Sequence, residues 1–288
     1  MLLTLALFFF AASTPSTASE SHTCLHPRRR VEWTTLKTHQ KEAYFTADKC
    51  PQQIFPRQQQ NDVPGSIDTW LFTGQFLAIH RFYILAHETL MRNECNYTGP
   101  IPYWNELPDA GNFNASRVIR DFGGEGSPVL TGPFSNLTVN LGPGKFNTPH
   151  LLSRKFNEVT PPVRDSYDAV MGKSGFGEFQ RTMLTTLQVA GHVGVGGDML
   201  DFMTSSADPL FWLHHTYLDM LWWKWQGSNS SRINDFKNIG HETHSEPPTG
   251  YTNTTKDTLL SVYGIIPDVT VGDVLKMEGG YLCYTYDI

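Results

Sequence analysis

"DPLFWLHHTYLDMLWWKWQ", residues 208–226, sets two adjacent histidines inside an aromatic, helix-like run that opens on Asp-Pro. Asp208 followed by Pro209 has the form of a helix N-cap followed by proline at the first helical position. Neighbouring residues on a helix point about 100° apart, so only one of His214 and His215 can face a shared centre. His215 has Asp219 one turn later on its own face and is the better ligand candidate; His214 packs beside the site. Paired histidines in apolar surroundings suggest a metal site. The chain holds eleven histidines, and what it does turns on which others join them.

Two further segments supply candidates. His192 closes an apolar helical run and is followed by "VGVGG", whose glycines let the backbone pass close beside a site. His80 lies in "FTGQFLAIHRFYILAHETLMRNEC", on a helix expected over residues 71–92 with Gly74 inside it. Each of these two alone reads as an ordinary core histidine. His87, seven residues beyond His80 and about 20° around the same helix, reads as packed or solvated.

Taken together the three segments resemble the type-3 copper family of tyrosinases, catechol oxidases and hemocyanins, in particular its short secreted fungal members. The likeness runs from "CLHPRRRVEW" through "NECNYTGPIPYW" and "GHVGVGGDML" to the double-histidine helix, nearly the whole mature chain. It implies a mainly α fold, a core four-helix bundle with long loops and little β. In the family each of two coppers is held by three histidines, a ligand type suited to copper. The resemblance places His80 as the third ligand of the first copper, and His192 and His215 as the second and third of the second.

The departures are as informative. Nine residues before His80, where the family has its second ligand, stands Leu71; no histidine occurs from residue 40 to 79; and four residues before His192 stands Gln188. Leucine cannot coordinate a metal, and a neutral amide oxygen is a poor copper ligand. Half of the family's ligand set is missing, so a dicopper centre and ordinary tyrosinase activity are not expected.

The resemblance brings His80, His192 and His215 to one cavity, where three imidazoles around one ion would leave an open position, as in catalytic zinc sites. One Zn²⁺ per chain is the expected cofactor, with Cu²⁺ the alternative, and Gln188 and His214 are the candidate catalytic residues. Asp208 and Asp219 are candidates to orient imidazoles, and Arg81 and Glu88 to form structural salt bridges. Within the resemblance, hemocyanin-like fungal cyclopenases keep this fold yet use zinc, converting cyclopenin-type epoxides to viridicatin-type quinolones. A cyclopenase-like lyase acting on a small aromatic substrate is therefore the expected function. A copper phenol oxidase and a non-catalytic binding protein are the alternatives.

The rest of the chain sets the context. A net charge of −6 argues against nucleic-acid binding, and "RRR" at residues 28–30 reads as a solvated turn. Residues 1–18 read as a cleaved secretory signal, leaving 19–288 as one tyrosinase-like domain free of the membrane. Sequons at Asn96, Asn114, Asn136, Asn229 and Asn253 point to the same compartment, secreted or in the secretory lumen. Four cysteines without C-x-x-C spacing read as two disulfides; of the three possible pairings, Cys24 with Cys283 and Cys50 with Cys95 is favoured. Helical spacing is expected over residues 30–49, 165–171 and 177–191, a long loop region over 97–163, and a helix-like then strand-like stretch from 255 to the end.

Overall fold

The computed structural model describes residues 24–50, 66–144, 146, 148–157, 163–202, 205–278 and 280–288. The signal-peptide reading of residues 1–18 lies outside them. Six helices carry the architecture: α1 (Thr38–Asp48), α2 (Phe76–Cys95), α3 (Val163–Met171), α4 (Phe176–Met183), α5 (Val189–Val195) and α6 (Leu210–Gly227). A π-helical turn, Leu184–Gln188, joins α4 to α5 and makes them one interrupted rod. Together α1, α2, this rod and α6 form the expected mainly helical core, and the described part of the connection from residue 97 to α3 holds only short helical turns and two-residue strands.

α2 and α6 are the central pair, packed against each other along their length. Both are buried nearly all round, including Phe76, Ile79, Tyr83 and Met91 on α2 and Leu210, Leu213, Tyr217 and Trp225 on α6. α2 begins five residues later than the spacing suggested. Gly74 lies outside it, with Thr254 and the Gly240 carbonyl so close that a side chain there would collide. Asp208 acts one position further out than expected: α6 starts at Leu210 with Pro209 at its N-cap position, and the Asp208 carboxylate accepts the Leu210 N–H at 2.9 Å.

The arginine run is where the reading changes. Residues Arg28–Glu32 form β1, which pairs in parallel with Pro102–Tyr103 (β2) on one side and Tyr284–Tyr286 (β3) on the other. Alternation along the strand turns Arg30 inward, where it is 1% exposed and donates to Glu88 at 3.1 Å and Asp219 at 3.3 Å. Arg81 donates to Asp219 at 2.5 Å, while the hydroxyls of Tyr284 and Tyr286 donate to the same carboxylate at 2.8 and 2.6 Å. Burial opposes ionisation of Asp219, but Arg81 and Arg30 outweigh it and hold its pKa below the usual carboxylate value. Arg81 and Glu88 thus take the structural roles expected of them. Asp219 belongs to this ionic hub, and Asp208 to a bidentate pair with Arg154 at 2.7 Å; neither carboxylate hydrogen-bonds an imidazole.

Two disulfides fix the frame in the favoured pairing. Cys24–Cys283 ties β1 to β3, and Cys50–Cys95 joins the end of α1 to the end of α2. The helix-like reading of residues 255–264 gives way to a short strand, Leu259–Leu260, paired with Val269–Thr270. The closing strand-like stretch is β3. No helix among the described residues is long and apolar enough to cross a membrane.

Candidate metal centre

α2, the α4–α5 rod and α6 bring four histidines to one place. His80, His192, His214 and His215 are 6, 2, 0 and 2% exposed, so the cluster is buried although it lies a few ångströms from the surface aromatics described below. His192 and His215 approach with their Nε2 atoms 3.2 Å apart. Two ligands at Zn–N of about 2.05 Å and the tetrahedral angle would stand about 3.3 Å apart, so this separation fits one shared ion. His192 Nδ1–H donates to the Met199 carbonyl at 2.6 Å, which leaves the Nε2 lone pair facing His215.

The Gly196–Gly197 pair makes that contact possible. Both residues adopt positive φ, 63° and 57°, and turn the chain back so that Met199 returns over His192. Their close approach is to the backbone of residues 153–155, where a Cβ would overlap the Lys155 and Ser153 carbonyls. The glycines therefore serve the loop that orients His192.

The structure draws His214 in more tightly than the sequence suggested. The ligand atoms of His192, His214 and His215 all lie within 4.8 Å of one another, a grouping that could close around one ion. His80 enters differently: its ring stacks on His215, centroids 4.4 Å apart and planes inclined by 13°, while its Nδ1–H donates to the Phe76 carbonyl at 2.8 Å. An ion in the plane of one of two stacked rings stands off the plane of the other. His87 is turned away, stacked on Trp212 at 3.8 Å and paired with Asp48 at 3.0 Å.

Burial governs the electrostatics. Desolvation pushes the pKa of His80, His192 and His214 down to about 3, and that of His215 well below the ordinary value, the neighbouring imidazoles adding to the effect at His80, His192 and His215. All four rings are neutral at physiological pH, the form that binds metals. Gln188, 1% exposed, leaves its Oε1 without a hydrogen bond, and so do His215 Nδ1, His214 Nε2 and Glu106 Oε2. Buried polar atoms without partners are costly, about 1–3 kcal/mol each when nothing binds them.

Glu106 is the residue that the sequence reading missed. The Trp104 N–H donates to the Leu213 carbonyl at 3.2 Å, fastening the strand end to α6, and two residues later Glu106 Oε1 meets His214 Nδ1 at 2.5 Å. Burial, reinforced by Asp109, drives the Glu106 carboxyl well above the usual range. Gly191 gives the His214 ring its place, since a Cβ there would overlap the ring.

The donors do not fit a copper pair. On the first-copper side only His80 remains, Leu71 contributes hydrocarbon, and His87 is committed to Asp48 and Trp212. The grouping of neutral His192, His214 and His215 does suit one ion.

The comparisons agree with this architecture. The family model described as the common central domain of tyrosinase matches residues 34–228. Tyrosinase ustQ of Aspergillus flavus is 30% identical over 295 residues, covering 91% of this chain and 80% of that protein. N-acetyl-6-hydroxytryptophan oxidase ivoB of Emericella nidulans is 27% identical over 335 residues, covering 90% and 92%. Among solved structures, a polyphenol oxidase from Thermothelomyces thermophila shares the fold with a TM-score of 0.75 at 23% identity, over 90% of this chain and 88% of that one. With the double-histidine helix at its centre and a family model spanning two-thirds of its length, the chain belongs to the tyrosinase family.

Proposed function

We propose that this protein is a secreted tyrosinase-fold enzyme that uses a single metal ion, zinc in preference to copper, for a non-redox step on a small aromatic metabolite. The observation that carries the reading is the histidine cluster: neutral His192 and His215 with their Nε2 atoms 3.2 Å apart and His214 grouped with them, on a scaffold that has lost half of the dicopper ligand set. His192 and His215 hold the ion, with His80, His214 and Gln188 around it. Bound zinc supplies Lewis acidity toward a carbonyl or epoxide oxygen. The protein's own part is to keep the site dry, to hold the imidazoles neutral, and to offer the Gln188 amide to a substrate oxygen or water. A ring rearrangement with loss of a small fragment, of the cyclopenin-to-viridicatin type, is the lyase chemistry such a site suits.

Access supports an aromatic substrate. Phe202 lies 5.8 Å from His192 and meets Phe72 edge-on at 6.0 Å. Both rings are exposed, 40% and 44%, and Phe72 adopts a left-handed φ of 56°, a conformation costly for a bulky residue. An aromatic ring entering from solvent passes these two faces before it reaches the histidines. The five sequon asparagines are all exposed, which suits glycosylation along a secretory route, and the two disulfides suit an oxidising compartment.

The names of the relatives favour a second reading, a copper phenol oxidase. The two separate cleanly. Zinc-loaded protein should convert a cyclopenin-type substrate and leave catechols unoxidised. Catechol oxidation by copper-loaded protein, with a peroxide-induced absorption band, would replace the proposal with the oxidase; inertness in both assays would leave a metal-binding protein without turnover.

A further inference from the structure

Glu106 is a buried acid met by a histidine and by no Arg or Lys in the salt bridges of the described residues, as Asp48 is. Asp219 is met by Arg81 and Arg30, Asp208 by Arg154, Glu88 by Arg30 and Arg92, and Asp48 by His87. Glu106, 1% exposed, has no Lys or Arg in a salt bridge among the described residues; one oxygen rests on His214 Nδ1 and the other has no partner. An acid buried without a cation is expensive to keep, and it is kept here against the one ring edge that orients His214. The placement is built from two directions: the Trp104–Leu213 backbone bond brings Glu106 to α6, and the absence of a side chain at Gly191 leaves room for the ring.

Resting on the single-metal reading above, we propose that Glu106 is a positioning residue that makes His214 the third imidazole of the site, replacing the ligand lost at Gln188. When ionised, the Glu106 carboxylate accepts Nδ1–H and leaves the lone pair on Nε2, which has no side-chain hydrogen-bond partner, and a ring nitrogen of His214 lies within 4.8 Å of the ligand atoms of His192 and His215. His192 is oriented on the same principle by the Met199 carbonyl. His80, stacked on His215, is a wall of the pocket and not a third ligand.

The test is metal titration of the full-length secreted protein and of Glu106→Leu, Glu106→Gln and His80→Ala. Zinc affinity is read directly, and bound Cu²⁺ serves as a probe whose electron paramagnetic resonance spectrum counts coordinated nitrogens. Thermal unfolding of the metal-stripped forms reports folding. Glu106→Leu should weaken zinc ~100-fold and reduce the nitrogen count from three to two, while Glu106→Gln, which keeps an acceptor oxygen, should lose ~10-fold and retain three. His80→Ala should bind as wild type does. If Glu106→Leu fails to fold, the Gln variant decides alone: unchanged affinity overturns the proposal. Wild-type affinity and spectrum in Glu106→Leu overturn it too, as does loss of a nitrogen in His80→Ala. Failure of the wild-type protein to bind any metal would remove the single-metal reading itself, a distinct result.

Discussion

The same two helices carry two buried polar clusters of opposite character. In one, Arg81 and Asp219 join Arg30, Glu88, Tyr284 and Tyr286 in a hub where positive and negative charges meet, and the guanidinium groups of Arg30 and Arg81 also stack on aromatic rings 3.5 Å away. In the other, His80 and His215, immediate sequence neighbours of those residues or one turn from them, join His192 and His214 in a cluster without a cation, its one acid unpaired by Arg or Lys. In the hub only Arg30 Nε and Arg81 Nη2 lack acceptors; in the cluster His214 Nε2, His215 Nδ1, Gln188 Oε1 and Glu106 Oε2 make no side-chain hydrogen bond. A hub that is closed holds the bundle together. On the proposed reading, the open cluster is kept for the ion it binds.

If that division is right, breaking the hub should cost stability and little else, and breaking the cluster the reverse. The largest effect is expected for Asp219→Asn. It leaves Arg81 and Arg30 buried without their countercharge and should lower unfolding free energy by about 3–5 kcal/mol, read from urea midpoints. A change under about 1 kcal/mol would mean the hub is not the clasp described here. Gly191→Ala comes next: the added methyl must displace the His214 ring, costing about 1–3 kcal/mol through overpacking and weakening metal binding. Unaltered zinc affinity in a folded Gly191→Ala protein would argue that His214 takes no part in the site.

Acid separates the clusters more gradually. The imidazoles of His80, His192 and His214 titrate near 3 in the fold but near 6.5 in the unfolded chain, so on acidification the unfolded chain takes up protons first. Metal-stripped protein should therefore lose stability progressively as pH falls from about 6.5 toward 3. Glu106, whose carboxyl is raised, works in the opposite sense, but it is one acid against four imidazoles. Asp219, held low, adds its own loss only as pH falls below the usual carboxylate value. A melting temperature that stays level between pH 6.5 and 4.5 would contradict the buried, neutral cluster. The smallest effect concerns the entrance: Phe202→Ala should raise KM for an aromatic substrate several-fold, about 1 kcal/mol, with kcat nearly unchanged. A fall in kcat alone would move Phe202 from the entrance to the reacting centre.

What the sequence disclosed, and what it hid, follows the reach of each signal. The double-histidine helix, His80, His192 and the vacancies at Leu71 and Gln188 are legible because each sits at a fixed spacing within one segment. Both disulfides were legible because four cysteines allow few pairings. Glu106 was not, since it reaches His214 across 108 residues and nothing local in "PYWNELPD" marks an acid as buried. Arg30 was misread because three arginines in a row look like a solvated turn, and only strand alternation singles out the middle face. Asp219 was assigned to the histidines from helical spacing alone, which cannot see that two arginines and two tyrosines arrive from other elements.

The most direct test of the central claim is elemental analysis of the purified glycosylated protein beside its His192→Ala variant. The account predicts about one zinc per chain in the first and none in the second, with the fold retained. Two coppers per chain in the wild-type protein would contradict it, showing that the tyrosinase family's dinuclear centre survives here through ligands other than those identified.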